Sequence, residues 1–281
     1  MMDTGPHNAP LMTDRELKQF GDFIYTELGI KITPAKKTML QARLQRRLRM
    51  LNLRSYGEYL DYLQSLKGLE VELPQMVDAV TTNTTSFFRE PRHFEFLTRN
   101  ILPTWQKKHP RQAFAVWNAG CSSGEEPYTT AMVLMDYHER ISPLQFSILA
   151  TDISTEILQK AARAVYEEEK IATIPPDFRR KYLLRSKNKK KGLVRIVPEL
   201  RAQVSFRRLN FMDDFHFREK MNLIFCRNVM IYFDRKTQAE LVEKFCNHLE
   251  PGGYFFCGHS ESLAGINLPL KQLAPATYQR I

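Results

Sequence analysis

At three places in this 281-residue sequence, short polar or acidic side chains directly follow apolar runs typical of buried strands. The loop Asn118 to Glu126 follows the first run and contains two glycines, two serines and two glutamates. Asp152 and Asn228 follow two later runs in the same way. Ligands of open parallel sheets bind outside the carboxyl ends of the strands. The three places together therefore predict a ligand site.

The loop after the first run constrains the chemistry of that ligand. A strand–loop–helix corner exposes backbone N–H groups at a helix N-terminus, where a ligand can approach closely. Gly120 and Gly124 stand four apart with no lysine following, so neither the dinucleotide nor the phosphate-loop fingerprint is present. Glu125 and Glu126 would repel a diphosphate and instead suit a ligand with positive charge and hydroxyls. The alternative is an ordinary turn between a strand and a helix.

Asp152 directly follows the second expected strand, Phe146 to Thr151, and marks its end. An acidic residue there can accept hydrogen bonds from both hydroxyls of a ribose. It could equally cap the following helix, for which Ser154 is also placed. Asp152 combined with the loop Asn118 to Glu126 predicts an adenosine-type ligand.

The amino-acid composition and the net charge predict a globular protein with a basic surface. The net charge is +10, and 43% of the residues are hydrophobic. The four cysteines form no C-x-x-C pair and the seven histidines form no close metal-binding pair, so we expect no metal site. The sequence has neither a signal peptide nor an apolar run of transmembrane length, which predicts a cytoplasmic protein that is not inserted in a membrane.

From Phe114 onward, strand-like and helix-like segments alternate, which predicts a mostly parallel sheet covered on both faces. The expected strands are 114–117, 146–151, 204–210, 222–226 and 254–258, followed by a terminal pair at 270–273 and 277–281. Asn210 falls at a strand end like the three polar places above. An insertion at about 181–202 predicts a β-hairpin with a lysine-rich tip at 187–191. That tip is either solvated or a contact for an acidic partner.

Residues 13–80 predict a small helical domain after a disordered tail at 1–12. Thr13 and Glu16 form a capping box, and Pro34 starts a second helix reaching Leu51. A basic stripe on that second helix has almost no neighbouring acid to pair with along the helix. The stripe is either a solvated face or a contact for an acidic partner. Its candidate partner-binding residues are Lys36, Arg43, Arg46 and Arg47.

The junction 81–92 is rich in threonine, which forms helices poorly. It also contains Phe87 and Phe88, which favour burial, and then Arg89. These features predict one wall of a site, and the alternative is a packed turn between domains. The remaining residues, 93–281, form the second expected domain.

With these residues in place, the sequence resembles the CheR family of chemotaxis receptor glutamate O-methyltransferases, which use S-adenosylmethionine. The resemblance runs from about residue 13 to the end. The motifs that carry it are Thr-Thr-Asn-Thr-Thr-Ser-Phe-Phe-Arg-Glu (81–90), Gly-Glu-Glu-Pro-Tyr (124–128), Ala-Thr-Asp-Ile (150–153), Cys-Arg-Asn-Val-Met-Ile-Tyr-Phe (226–233) and Gly-His-Ser-Glu (258–261).

The resemblance implies an α/β fold: a doubly wound, Rossmann-like methyltransferase domain that bears a small antiparallel β subdomain and follows an all-α domain. It implies S-adenosylmethionine as cofactor, S-adenosylhomocysteine as product and no metal. It also implies the cofactor contacts Asn83, Thr85, Arg89, Glu126, Asp152, Asn210, Phe211, Asn228 and Val229. Some members capture a receptor peptide through a glycine-containing hairpin, and the lysine-rich tip here argues against such capture.

The implied reaction esterifies glutamates on the cytoplasmic methylation helices of chemotaxis receptors, at membrane receptor arrays. We hypothesise that Arg89 holds a carboxylate, that Tyr232 orients the incoming glutamate and that the basic stripe docks on the receptor. We expect a monomer that binds no nucleic acid. The two rival functions are a nucleic-acid methyltransferase, suited to the basic charge, and a non-catalytic module that binds S-adenosylmethionine and signals.

Overall fold

A computed structural model describes residues 10–81, 83–188 and 192–281. The chain divides into two compact units, Met1–Thr82 and Asn83–Ile281. No helix among the described residues is long and apolar enough to cross a membrane. Residues 1–9 of the predicted tail and 189–191 of the predicted lysine-rich tip lie outside the described residues.

The first unit is helical, as predicted. Its helices are α1 (Asp14–Leu28), α2 (Lys37–Leu51), α3 (Tyr56–Gln64) and α4 (Leu73–Val80), with a 3-10 turn at Pro34–Lys36 and a π turn at Gly68–Glu72. The capping box forms, because the Glu16 N–H donates to the Thr13 hydroxyl at 3.2 Å and the Thr13 N–H donates to Glu16 at 2.8 Å. Met12, the last residue of the predicted tail, is buried at 2% exposure and belongs to this core.

The second unit contains a seven-stranded sheet in the order β6-β2-β1-β7-β8-β10-β9 within the described residues. The strands of this sheet are β1 (Phe114–Ala119), β2 (Phe146–Asp152), β6 (Val204–Arg208), β7 (Met221–Cys226), β8 (Leu249–Cys257), β9 (Leu270–Ala274) and β10 (Thr277–Arg280). The first five of these in sheet order pair in parallel, and β10 and β9 pair antiparallel. This arrangement confirms the α/β fold implied by the sequence.

Apolar layers cover both faces of the sheet, because successive residues of a strand point to opposite sides. Val116 and Leu223 join one buried cluster, whereas Trp117 and Ile224 join the other. The helices of this unit are α5 (Arg92–Phe96), α6 (Leu102–Lys108), α7 (Glu125–Arg140), α8 (Thr155–Arg163), α9 (Pro176–Tyr182), α10 (Pro198–Arg201) and α11 (Arg235–His248).

A small antiparallel sheet has the order β3-β5-β4, with β3 at Val165–Glu167, β4 at Leu183–Arg185 and β5 at Leu193–Ile196. It begins earlier than the predicted hairpin at 181–202. Helix α8 stops at Arg163 because Ala164 adopts a left-handed conformation, with φ of 55°. The chain then continues as a strand at Val165.

Strand β8 also begins before the predicted strand. Pro251, Gly252 and Gly253 precede the predicted strand 254–258, yet they lie inside β8. The register shifts here, since Met221 pairs with Leu249 and Leu223 with Tyr254. Such an irregularity accommodates the extra residues as a bulge, where proline and glycine are tolerated.

Candidate functional site

The candidate site lies at the carboxyl ends of β2, β1 and β7, which are neighbours in the sheet. Connections run outward in opposite directions from β1, so a crevice is expected outside its end. Asn118 and Asp152 lie in the last positions of β1 and β2, while the rest of the loop to Glu126 follows β1 and Asn228 follows β7. The predicted polar places therefore do lie at strand ends, although β1 and β2 extend up to two residues further than expected. Asn210 follows β6, which pairs with β2 on the other side.

The loop after β1 is compact, and its glycines are needed. The N–H groups of Gly120 and Cys121 both donate to the Thr151 carbonyl at 2.8 Å, which ties this loop to β2. Gly120 has φ of +80°, and a Cβ there would lie 2.5 Å from Val229 Cγ2. A side chain at Gly120 would therefore separate the loops after β1 and β7.

Asp152 is held rigidly at the base of this crevice. Its side chain accepts the Ser122 N–H at 2.8 Å on one oxygen and the Ser154 N–H at 3.0 Å on the other. Ser154 itself caps α8 through its hydroxyl at 3.1 Å, so the alternative role of Asp152 as the helix cap is not needed. Each carboxylate oxygen offers two lone pairs. Asp152 thus has acceptor capacity for ligand hydroxyl groups.

The two glutamates at the start of α7 point to different partners. Glu125 is fully buried, accepts the Ser123 hydroxyl at 2.6 Å and lies 3.6 Å from Lys170 Nζ. Glu126 instead accepts from Asn118 Nδ2 at 2.8 Å and pairs with Arg227 at 3.1 Å. Burial raises the pKa of Glu126, and the Arg227 charge and the Asn118 hydrogen bond partly oppose that rise. Only Glu126 of the two is therefore directed toward the loop after β7.

Arg227 connects the loops of the site, a role that its position in the sequence did not predict. Its side chain is 2% exposed. It lies 3.1 Å from the carboxylates of both Glu90 and Glu126, and it also donates to the Arg89 carbonyl. The signal in the sequence was a charged residue placed directly after the apolar strand β7. Its partners are more than a hundred residues away, so the sequence could not identify them.

The junction turn, residues 83–90, lies against this network. Phe87 is fully buried against Tyr166, with ring centroids 4.9 Å apart, and the Phe88 N–H donates to the Thr129 hydroxyl at 3.1 Å. The Ser122 hydroxyl donates to the Asn83 carbonyl at 3.2 Å, so this turn and the β1 loop are in contact. Arg89 is partly exposed and donates to the Thr84 carbonyl at 3.3 Å. Thr85 is also partly exposed.

Left-handed backbone conformations concentrate around the site. Of the seven non-glycine residues with positive φ among those described, four lie in these loops: Phe88, Glu90, Ser122 and Asn228. Such conformations are uncommon outside glycine, and for a bulky residue such as Phe88 they are outliers. Strained residues of this kind persist where surrounding contacts determine the backbone, which is common at functional sites.

The loop after β7 is fixed by Glu261, the last residue of the Gly-His-Ser-Glu motif. Its buried carboxylate accepts N–H groups from Asn228 at 2.9 Å, Gly258 at 2.6 Å and Ile231 at 3.3 Å. The Gly-His-Ser-Glu motif did not by itself predict this positioning role. Tyr232 follows in a short 3-10 turn, Met230–Tyr232, and is partly exposed.

Asn210 and Phe211 differ in their surroundings. Asn210 is partly exposed and accepts the Met212 N–H at 3.1 Å. The Phe211 ring packs in the apolar layer, 6.4 Å from the Trp117 ring and 5.5 Å from the Phe245 ring between centroids. Contacts of these two residues with an adenine therefore stay a prediction, and the Phe211 ring has a packing role of its own.

The basic residues of α2 have contacts within the first unit. Arg47 makes two hydrogen bonds to the buried Glu72, at 2.7 and 2.8 Å. Arg43 donates to the Val80 and Thr81 carbonyls, and Lys36 donates to the Lys31 carbonyl at 3.5 Å. Arg46 is exposed. Glu72, the acid that pairs with Arg47, thus lies outside α2. The spacing of residues along that helix could not reveal it.

Comparisons with known proteins identify the family of this chain. A family model described as "CheR methyltransferase, SAM binding domain" matches residues 83–278, and "CheR methyltransferase, all-alpha domain" matches 15–81. Chemotaxis protein methyltransferases from Borreliella burgdorferi (39% identity, 96% of this chain, 95% of the relative) and Escherichia coli (37%, 91%, 87%) are similar along most of their length. A "Chemotaxis protein methyltransferase 2" from Pseudomonas aeruginosa is 36% identical and covers 95% of this chain and 93% of its own. This chain therefore belongs to the CheR methyltransferase family.

Proposed function

We propose that this protein methylates glutamate side chains of chemotaxis receptors, giving glutamyl methyl esters, at the cytoplasmic face of receptor arrays. The observation that carries the proposal is the convergence of Glu126, Asp152 and Asn228 at one sheet edge in a chain of the CheR methyltransferase family. Chemotaxis protein methyltransferases among its relatives support receptors as the substrate class.

The residues present fit the cofactor. Asp152 offers acceptors for ribose hydroxyls, and the carboxylate of Glu126 suits the positive charges of S-adenosylmethionine. Gly120 leaves room beside Val229 that a Cβ would fill. When bound, this cofactor supplies a methyl group on a positively charged sulfur.

The chain then has to align and desolvate the substrate rather than activate it. A glutamate with a pKa of about 4.3 is already ionised at neutral pH, so no general base is required. Alignment of two reactants is worth roughly 7–11 kcal/mol. Arg89 and Tyr232 are both partly exposed at the loops that border the crevice, where they could hold and orient carboxylates.

Arg89 and Tyr232 can be tested separately. We expect Arg89→Ala to lower turnover by roughly 100-fold and Tyr232→Phe to lower it by roughly tenfold, since small misplacements of a reactant have effects of that order. Cofactor binding by calorimetry and initial rates distinguish binding from alignment. Arg111→Ala, an exposed arginine elsewhere, is the matched control. Control-like values for both variants would eliminate the two roles.

Arg46 is the best test of receptor docking, because Arg43 and Arg47 have structural partners. We expect Arg46→Glu to weaken receptor affinity by roughly tenfold, or ~1.4 kcal/mol, and to flatten its salt dependence. Arg15→Glu makes the same charge change at an exposed site of α1 and should have no such effect. Equal effects of the two reversals would show that net charge alone matters.

The function itself is tested by transfer of a labelled methyl group from S-adenosylmethionine to purified receptor. We expect label in the receptor that base releases, as an ester requires. Label in nucleic acid would support the first rival function. Tight cofactor binding without any transfer would support a signalling module.

A further inference from the structure

Glu90, His93 and His259 come together although 166 residues separate the two histidines. Each residue offers a ligand atom, and these atoms lie within 4.8 Å of one another. The three residues come from the junction turn, from α5 and from the loop after β8. The sequence predicted no metal site, because spacing reveals only histidines that are close in the chain.

His93 has an unusual environment for a buried polar side chain. It is 2% exposed, and both ring nitrogens lack a hydrogen-bond partner within the described residues. Its ring stacks on Phe256 at 4.9 Å between centroids, and Nδ1 lies 3.6 Å from a Glu90 carboxylate oxygen. Buried polar atoms nearly always have a hydrogen-bonding or ionic partner, so the two ring nitrogens of His93 are an exception that calls for an explanation.

An open cavity of about 440 Å³ reaches this cluster. Both His93 and His259 line it, together with Phe96, Pro275 and Thr277. The cavity offers a metal ion a route from solvent and room for a water ligand. His259 is exposed, so its ring can adjust toward an ion at little cost.

We propose that Glu90, His93 and His259 bind a divalent transition metal of the zinc type, with water completing the coordination. Two imidazoles and one carboxylate form a ligand set typical of such ions, whereas magnesium and calcium prefer oxygen ligands. Three protein ligands with one open position resemble exchangeable zinc sites rather than closed structural ones.

The proposed site is linked to the cofactor crevice through Glu90. The same carboxylate lies 3.1 Å from Arg227, which also pairs with Glu126. A bound metal would compete with Arg227 for Glu90, while Arg227 keeps Glu126. The nearby guanidinium weakens metal binding, and the Glu126 carboxylate offsets part of that repulsion. Because coupling between two sites is reciprocal, zinc and the cofactor should alter each other's affinity; this second step rests on the proposed function.

The first experiment measures metal binding to the full chain without cofactor. We expect Zn²⁺ to bind by calorimetry and Co²⁺ to give visible absorption bands that Zn²⁺ abolishes and Mg²⁺ does not. His259→Gln should weaken binding by more than roughly 10- to 100-fold, since that is the usual effect of losing only an outer-shell partner of a metal ligand. His93→Gln should weaken Zn²⁺ binding in the same way. Because His93 is buried, this variant could fail to fold, and His259→Gln, at an exposed position, then still tests the proposal. His216→Gln changes an exposed histidine outside the cluster and should have no effect.

Equal Zn²⁺ affinity in the wild type and in His259→Gln, or an equal loss in His216→Gln, would overturn the proposal. The coupling is then measured as the shift in S-adenosylhomocysteine affinity on adding Zn²⁺. We expect a shift in the wild type that is absent in His259→Gln. Metal binding without any methyl transfer to receptor would leave the site standing and refute the proposed function alone.

Discussion

Replacing Arg227 with methionine is expected to destabilise the second unit by ~3–5 kcal/mol, the usual effect of removing one partner of a buried ion pair. The substitution would leave the side chains of Glu90 and Glu126, 13% and 15% exposed, without their cation. The Arg89 carbonyl would also lose a donor. We expect cofactor affinity to fall as well, since both the junction turn and Glu126 would be released.

Urea unfolding and calorimetry with S-adenosylhomocysteine check this prediction. Arg227→Lys is the informative companion variant, because lysine restores the charge but its compact ammonium lacks the planar fork of five donors by which arginine reaches separate acceptors. We expect it to recover part of the stability and less of the affinity. Wild-type stability in Arg227→Met would show that the three-residue network does not hold the site together.

Replacing Arg47 with alanine is expected to destabilise the first unit by a similar ~3–5 kcal/mol. Glu72 is 2% exposed and accepts two hydrogen bonds from Arg47 and one from the Tyr59 hydroxyl at 2.8 Å. Burial, and then the hydrogen bond to Glu72, raises the pKa of the Tyr59 phenol, which therefore stays a donor. That single donor cannot compensate a buried carboxylate.

Hydrogen exchange of α2 to α4 locates this effect in the first unit. Arg46→Ala, one position earlier and exposed, should stay within about 0.5 kcal/mol of the wild type. The double variant Arg47→Met with Glu72→Met should recover most of the loss, because apolar replacement of both partners is often neutral or stabilising. A similar loss in Arg46→Ala and Arg47→Ala would contradict the assignment.

The sequence predicted the strand ends well because local signals determine them. Apolar runs followed by Asp152 or by the Gly120 loop mark where a buried strand reaches an edge, and parallel strands bring those edges together. The capping residues Thr13 and Ser154 were equally predictable. Each of these features depends on residues a few positions apart.

The connecting side chains could not be predicted, because their partners are distant in the chain. Arg227 pairs with Glu90 across 137 residues, and Arg47 pairs with Glu72 across 25. Glu261 could be recognised as part of a motif, but its three N–H donors could not. The resemblance to a family identified residues near the crevice without saying which ones hold its walls.

The residues with left-handed backbone conformations around the crevice limit which substitutions can raise the stability of this protein without loss of activity. Each such conformation costs of order 1–3 kcal/mol, and four lie in these loops. Substitutions that relax Glu90 or Asn228 should therefore arise readily under selection for stability alone. Such substitutions would make flexible the loops whose fixed positions ligand binding requires. The crevice is thus where stability and activity trade off in this fold, whereas the helical unit can gain stability without that conflict.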